Sequence, residues 1–426
     1  MNQQSIAIIG SGAAGMACGH FLHSRYDLSF YEQNDYVGGH ANTAVIQNDQ
    51  ETVYSDTAFV IFNDENYPLF NRLLQELSVP SIQCPMDFSI HVAPSGWTYN
   101  TRGLSYVPTN LKHLFDAKFR GLLKETGRFY RQASEILNEP RYHDYSIADY
   151  VREKGYSDTF LDNYLIPILA VVWSIPPHKM LEYPALTMIE FLKNHGAFQG
   201  ILGAKRWRTV MRGSGSYRDK IIQPFKDRIR LQCAAVRVIR TSSGVEIQDS
   251  QGQTQNFDKV IFACHADQAL RCLGEPSSSE IEILGAFQYT QSKVLLHNDA
   301  SIMPRNKWNW AGWNYYVDYA EDGELRSSFS YYMNRLQKVS KQENYFVTVN
   351  PWGRIDERKI LREYDYEHPL FDLAAIKAQT RLSELNQNGV IYFCGSYFGH
   401  GFHEDAFRSG IEVCRLVTGE PIWEDR

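Results

Sequence analysis

The sequence lacks the features that mark secreted, membrane-spanning or zinc-binding proteins. Its seven cysteines are odd in number and scattered without a CxxC pair, which predicts neither a disulfide framework nor a zinc ribbon. No stretch approaches the ~18 apolar residues of a spanning helix, and the first ten residues carry no secretory signal. We therefore expect a cytoplasmic protein in a reducing compartment.

Charge of one sign is also not concentrated in long runs. The 43 Lys and Arg residues are outnumbered by 49 Asp and Glu residues, which gives a formal net charge of −6. Binding to a nucleic acid duplex usually needs a concentrated basic face, so we do not expect nucleic acid as a partner. The oligomeric state is left open by the sequence.

The amino terminus carries the pattern of a dinucleotide-binding unit. The apolar run 6–9 contains the β-branched residues of a buried parallel strand, and Gly10, Gly12 and Gly15 follow it directly. A helical segment and a second short strand then lead to Glu32, an acid at the spacing that this fingerprint requires. A glycine turn without a ligand is the alternative, which the flanking strands and the acid disfavour.

Each residue of this unit has a physical role around a diphosphate. Gly10 permits the tight turn, Gly12 lets backbone amides approach the pyrophosphate, and Gly15 lets the helix pack closely on the strand. The helix N-terminus adds unpaired N–H groups and a partial positive charge. Glu32 would accept hydrogen bonds from the ribose hydroxyls.

Two further glycine-rich segments are expected near the same ligand. Gly38, Gly39 and His40 follow the second strand, and a strand-like run at 390–394 precedes a glycine-rich turn near the carboxyl terminus. A helix that starts near Glu404 would aim its amides at the pyrimidine edge of a flavin, where charge develops on reduction. An ordinary strand-to-helix turn is the alternative.

These segments resemble the FAD-dependent amine oxidase and phytoene desaturase superfamily. The match is closer to one subgroup, the predicted NAD/FAD-binding oxidoreductases associated with cyclopropane fatty acyl synthases. The residues that carry this closer match are SDTAFVIFN (55–63), MDFSI (86–90), VVWSIPP (171–177), NHG (194–196), FACHADQAL (262–270), LLHND (295–299), WNYY (313–316), EHPLF (367–371) and GFHEDAF (401–407). The resemblance therefore covers nearly the whole chain.

The resemblance implies an α/β fold and a flavin cofactor. The fold would be a Rossmann-like FAD-binding domain of the glutathione reductase type with an inserted α+β substrate domain. The FAD-binding domain would be discontinuous, with residues 1–85, 205–275 and 388–426, and the substrate domain would take residues 86–204 and 276–387. FAD would be held non-covalently, because no cysteine occupies the usual tethering position.

The resemblance also assigns cofactor contacts residue by residue. Val236 stands where the main chain of family members meets the adenine, and Ser396 replaces the acid that usually binds the ribityl chain. The expected cofactor-binding residues are Gly10, Gly12, Ala13, Ala14, Gly15, Glu32, Gln33, Gly38, Gly39, His40, Val236, Gly395, Ser396, Glu404, Asp405 and Ala406. The glycines at 213 and 215 lack a third partner, so we interpret that segment as a helix cap and expect reoxidation by oxygen or another acceptor.

Candidate catalytic and substrate-contacting residues come from the remaining patterns. Lys293 stands roughly where amine oxidases keep a lysine near the flavin, with an exposed strand lysine as the alternative. His400 and His403 flank the turn before the last helix, and an ordinary histidine pKa of ~6.5 suits an acid or base. A pocket wall, with core packing as the alternative, is predicted at Trp173, Trp308, Trp310, Trp313 and Tyr315. No metal site is expected.

The amphipathic segment 110–137 carries one unusual surface. The face opposite its apolar residues carries six basic residues, which are Lys112, Lys118, Arg120, Lys124, Arg128 and Arg131. A solvated helix face is the simpler interpretation. Peripheral contact with anionic lipid headgroups at the inner membrane face is the alternative.

The leading functional hypothesis is an FAD-dependent two-electron oxidation or desaturation of a small apolar substrate, with a lipid acyl chain as the candidate. Amine oxidation at a C–N bond and flavin-dependent isomerisation are the alternatives within the superfamily. A nucleotide-binding scaffold without chemistry is a fourth hypothesis, and the intact Gly10, Gly12 and Gly15 argue against it.

Overall fold

Two large sheets organise the chain. The computed structural model describes residues 3–100, 107–108, 111–173, 177–194, 206–321, 323, 325–352, 355–387 and 389–423. Across these residues the fold is α/β, with a Rossmann-like unit and an inserted α+β region, as the sequence predicts. Within the described residues, no helix is long and apolar enough to cross a membrane.

The first sheet, called the parallel sheet below, has five strands that are all parallel to their neighbours. Their order is Ile229–Arg230, Asp27–Tyr31, Ser5–Ile9, Lys259–Phe262 and Ile391–Phe393. Its central strands are continuous apolar runs because helices cover both faces, and Ile8 and Ile261 are fully buried. Ligands bind such sheets beyond the carboxyl ends of the strands.

The second sheet, called the large sheet, has eight strands that are antiparallel except for one parallel pair. Their order is Ile360–Leu370, Gln288–His297, Phe346–Val349, Leu325–Tyr332, Trp313–Tyr319, Phe88–Val92, Trp97–Asn100 and Val107–Pro108. Register aligns a buried apolar row that includes Phe329, Tyr315 and Ile90. Side chains alternate between faces along each strand, so this row belongs to the main core.

Three smaller sheets complete the strands. They are Thr43–Gln47 with Thr52–Asp56; Phe62–Asn63, Trp207–Val210 and Ser81–Gln83; and Ala235–Thr241, Gly244–Asp249 and Thr254–Phe257. All described strands outside the large sheet fall within 1–85, 205–275 and 388–426. The large sheet takes its strands from 86–204 and 276–387.

Helices cover the parallel sheet and the apolar side of the large sheet. The α-helices are Ala13–Leu22, Pro68–Glu76, Ala117–Gln132, Ile147–Lys154, Asp158–Phe160, Ile166–Trp173, Pro177–Met180, Ala185–Asn194, Gly215–Ile222, Ala266–Cys272, Ser278–Gly285, Met333–Leu336, Leu373–Gln379 and His403–Thr418, and Leu161–Leu165 is a π-helical turn. The first and last of these helices pack closely, because a Cβ added to Gly410 would lie 2.7 Å from the Ala14 carbonyl oxygen. The two ends of the chain therefore meet.

Candidate functional site

The first glycine turn is closed on its protein side and open on the other. Gly10 has φ +98°, and a Cβ there would lie 2.7 Å from the Ala263 carbonyl oxygen. A Cβ on Gly15 would lie 2.1 Å from the Gly10 carbonyl oxygen, whereas one on Gly12 would meet no protein atom within 4 Å. Gly10 and Gly15 thus serve packing, while Gly12 leaves free space in front of the helix Ala13–Leu22.

Glu32 directly follows the strand Asp27–Tyr31 of the parallel sheet, and its carboxylate is hydrogen-bonded to the first glycine turn. Its buried carboxylate accepts hydrogen bonds from the Ser11 amide at 3.0 Å, the Ser11 hydroxyl at 2.6 Å and the Asn34 amide at 2.9 Å. The acid therefore stays next to the glycine turn at the carboxyl edge of the sheet. It lies where ribose hydroxyls would compete for the same oxygens.

The second glycine segment lies on top of the first. The Gly38 amide donates to the Ser11 carbonyl at 3.1 Å, and a Cβ on Gly39 would come within 3.4 Å of the Gly12 Cα. Both residues have positive φ, +112° and +57°. His40 leaves this segment toward the large sheet, where its ring lies 4.9 Å from that of Tyr366.

The carboxy-terminal loop reaches the same place from the last strand of the parallel sheet. Gly395 is held by Ser409, whose hydroxyl accepts from the Gly395 amide at 2.9 Å. The final helix starts at His403, one residue from the predicted start. Its first N–H groups have no partner within the helix, as at any helix N-terminus.

All three glycine segments line one cavity of about 650 Å³, a size that suits a cofactor. The sequence-predicted residues brought together there are Gly10, Gly12, Ala13, Ala14, Glu32, Gln33, Gly38, Gly39, His40, Gly395, Ser396, His403 and Ala406. Residues separated by nearly the whole chain thus face a single space. An extended dinucleotide fits this arrangement, because glycine backbone and helix N-termini surround its whole length.

Burial sets the protonation of the histidines in this cavity. Desolvation lowers the pKa of His403 to about 3 and that of His368 to about 4, and it lowers the pKa of His40 well below its ordinary value. The His403 ring stacks on Phe59 at 4.0 Å and its Nε2 is hydrogen-bonded to the Tyr217 hydroxyl. These imidazoles are therefore neutral at pH 7.

His368 has one ring nitrogen, Nδ1, that is buried without a hydrogen-bond partner among the described residues. The ring meets His40 edge to face at 5.1 Å, and both residues line the cavity. His368 therefore places an imidazole where the second glycine segment meets the large sheet.

Several sequence-predicted residues lie elsewhere. The Glu404 carboxylate accepts from the Leu69 and Phe70 amides at 2.9 and 3.0 Å, so it caps the helix Pro68–Glu76 instead of facing the cavity. Asp405 accepts from the amides of His400 and Phe402 at 2.9 and 3.0 Å and holds the turn before the last helix.

Two of the three catalytic candidates, Lys293 and His400, also do not line the cavity. Lys293 is half exposed and forms an ion pair with Glu363 at 2.8 Å. Its strand lines the cavity as far as Gln291, and Lys293 lies beyond that point. His400 does not line the cavity, although its backbone supports the loop through Asp405. Only His403 of the predicted set reaches the cavity.

Val236, the predicted adenine contact, lies at a β-bulge. Register slips between Ala235 and Arg237, which turns Val236 outward and leaves it 47% exposed. Ala234 and Ala235 line the cavity instead. Gly15 lies behind the turn, where it serves packing and not ligand contact.

The predicted tryptophan wall is wrong where the structure describes it. Trp308 is 65% exposed, Trp310 packs in a small cluster with Met303 and Phe346, and Trp313 belongs to the main core. Tyr315 is also in the main core. The side chain of Trp173 lies outside the described residues.

Other aromatic and polar residues form the actual wall. Those that the sequence analysis did not single out include Asn34, Tyr36, Phe59, Tyr67, Ala235, Cys264, His265, Tyr289, Tyr331, Tyr366, His368 and Phe402. The motif EHPLF contains His368 and is part of the family resemblance, which is the one sequence signal that pointed to this strand. Pairing across the large sheet, which sequence does not reveal, brings it to the cavity.

Comparisons with known proteins agree with this geometry. Residues 8–77 match the family of NAD(P)-binding Rossmann-like domains. Among solved structures, a putrescine oxidase bound to putrescine has TM-score 0.69 and 14% identity and covers 98% of this chain and 99% of its own. The cyclohexylamine oxidase from Brevibacterium oxydans has TM-score 0.70 and 14% identity over 98% and 99%.

A CLA-producing fatty acid isomerase from P. acnes is similar as well, with TM-score 0.64 and 12% identity over 98% of each chain. No protein of curated function matches the chain by sequence. The likeness to these solved structures therefore extends over nearly the whole chain and establishes the fold.

Proposed function

We propose that this chain is an FAD-dependent oxidoreductase that oxidises or desaturates an apolar substrate by two electrons, with a lipid acyl chain as the substrate class. The observation that carries the proposal is the meeting of three glycine segments, from both ends of the chain, around one cavity. A nicotinamide dinucleotide would use the first turn equally well. The carboxy-terminal loop and the start of the last helix favour the longer flavin ligand.

FAD would be held mainly by backbone. Gly12 leaves room for the diphosphate, Glu32 presents its carboxylate to the ribose, and the Gly395–Ser396 turn lies at the other end. A bound flavin supplies the two-electron acceptor, while the protein positions the substrate and tunes the site. Non-covalent binding agrees with the absence of any cysteine between residues 395 and 413.

The chain itself would contribute a proton acceptor and aromatic side chains that line the cavity. His368 lines the cavity and burial lowers its pKa to about 4, so its neutral imidazole can take the proton that leaves with the two electrons. Phe59, Tyr331 and Tyr366 also line the cavity and give it an aromatic surface. Such surroundings favour an uncharged, apolar substrate.

Amine oxidation is the second candidate. Asp365 lines the cavity and is exposed, so it could anchor an ammonium group. The other acid of this strand that lines the cavity, Glu367, is already engaged with His265 at 3.2 Å, and that histidine stacks on Tyr289. The fatty acid isomerase with this fold keeps isomerisation as a third outcome to test.

The experiment has two stages. Heat-released cofactor from the purified protein should be identified as FAD by chromatography and mass spectrometry, and colourless protein that takes up no FAD would refute the proposal. Anaerobic mixing with a lipid extract should then bleach the flavin, and polyamines should not. Bleaching by polyamines alone would indicate an amine substrate instead of a lipid. Product that forms only after the flavin has first been reduced would indicate an isomerase.

A further inference from the structure

One surface outside the cavity combines exposed apolar side chains with concentrated positive charge. It consists of the 3₁₀ turn Leu111–Phe115 and the exposed face of the helix Ala117–Gln132, and we call it the basic tip. Phe115 is 85% exposed and Leu114 is 40% exposed. Such exposure of a large ring at the end of a turn is unfavourable in water and needs an explanation.

The basic tip is held by contacts beneath it. Asp116 caps the helix by accepting from the Lys118 amide at 2.8 Å, and its other oxygen accepts from the Trp97 indole at 3.1 Å. The Arg120 guanidinium donates to the Phe115 carbonyl at 2.9 Å. Phe119 is buried against Trp97. Phe115 is therefore presented outward by an anchored turn.

The charge of the basic tip is opposite to that of the whole protein. Residues 111–132 contain six Lys and Arg residues and two acids, in a chain whose net charge is −6. Both acids are engaged: Asp116 caps the helix, and Glu125 accepts from the Ser157 amide at 3.0 Å. Lys118 and Lys124 are exposed on the helix. With six cations against two acids, this segment carries a net positive charge.

We propose that the basic tip docks the protein on an anionic phospholipid surface. Phe115 and Leu114 enter the interfacial region, while Lys118 and Lys124 meet the headgroup phosphates. This combination of an apolar insertion and surrounding cations is how amphipathic helices bind anionic bilayers, each Lys or Arg adding to the attraction. A nucleic acid would use the cations but gives a protruding Phe and Leu no apolar phase to enter.

The test is co-sedimentation of the full-length protein with vesicles, so it does not depend on the proposed enzyme activity. Vesicles of phosphatidylcholine with phosphatidylglycerol should bind the protein, and those of phosphatidylcholine alone should bind it far less. Phe115→Ser should weaken partitioning about tenfold or more. The double variant Lys118→Gln/Lys124→Gln should weaken it about 25-fold at low salt.

Matched variants separate this surface from general effects. Ile281→Ser removes another half-exposed apolar side chain, and Lys226→Gln/Lys341→Gln removes the same charge from other exposed positions; both should bind vesicles like the original chain. Thermal unfolding checks that every variant is folded. Equal binding to both vesicle types, equal losses in the controls, or the same variants affecting binding to a DNA duplex and not to vesicles would overturn the proposal.

Discussion

The parallel sheet and the large sheet contribute to the cavity in different ways. The parallel sheet offers the loops at its strand ends, and these are mostly glycine backbone and helix N-termini. The large sheet offers side chains along Ile360–Leu370, Gln288–His297 and Leu325–Tyr332, which include His368, Tyr289 and Tyr331. Backbone positions are suited to holding a cofactor whatever the substrate, whereas side chains can differ with the substrate. We infer that the first sheet fixes the cofactor and the second fixes the chemistry.

The largest effect should follow from filling space on the protein side of the glycine turn. Gly15→Ala places a Cβ 2.1 Å from the Gly10 carbonyl oxygen, and backbone has no room to yield. We expect a loss of about 3 kcal/mol or more in the free energy of unfolding, measured by urea denaturation. Gly121→Ala is the control, because its Cβ meets nothing within 4 Å in a helix and should stabilise by about 0.5–1 kcal/mol. Equal stabilities of the two variants would contradict the packing role.

Among residues of the large sheet, replacement of His368 should have the largest effect on the reaction rate. His368→Asn should leave FAD content and folding intact but lower the rate of anaerobic flavin bleaching by substrate about a hundredfold. A dependence of the original rate on pH that disappears in the variant would separate proton transfer from simple positioning. Loss of bound FAD together with the rate would show that His368 helps to hold the cofactor, and it would contradict the division of roles between the two sheets.

Acid should destabilise the half of the molecule that holds the glycine segments, through His403. Burial lowers its pKa to about 3, so the folded state keeps it unprotonated while the unfolded chain gains a proton below pH ~6.5. The free energy of unfolding therefore falls as pH drops from 6.5, by roughly 2–3 kcal/mol at pH 4.5 for this group. Denaturation curves of His403→Gln should show that much less loss over the same range, and identical pH slopes would exclude this contribution.

The smallest effect should come from a residue of the large sheet that faces water. Lys293 pairs with Glu363 across half-exposed side chains, so water screens the ion pair and its contribution to stability is small. Lys293→Ala should leave both stability and the reoxidation of reduced flavin by oxygen nearly unchanged. A large drop in the rate of flavin reoxidation would indicate that Lys293 acts in the active site after all.

Local motifs in the sequence predicted the parallel sheet and its loops well. A strand, Gly10, a helix and Glu32 fix their own geometry within thirty residues, and the start of the last helix was placed to one residue. The local contacts of the Glu404 and Asp405 carboxylates could not be predicted, because a helix-terminal acid suits a cap as well as a ligand site. Their partners, Leu69 and His400, become visible only in three dimensions.

The large sheet was harder to predict, because alternation along a strand does not reveal which face meets a cavity. Trp313 and Tyr315 follow the pattern of a pocket wall but pack in the core. His368 reaches the cavity through pairing with a strand 78 residues earlier, where Thr290 lies opposite it. Long-range register of this kind leaves little trace in one sequence.

The central claim is that loops from the two ends of the chain hold opposite ends of one FAD. The most direct measurement is the dissociation constant of FAD and of ADP, by calorimetry on the cofactor-free protein, for Gly12→Ala and Ser396→Leu. Gly12→Ala should weaken both ligands about tenfold without loss of stability, because its Cβ meets only ligand space. Ser396→Leu should weaken FAD by a similar factor and leave ADP unchanged. FAD affinity that is indifferent to Ser396→Leu would contradict the claim.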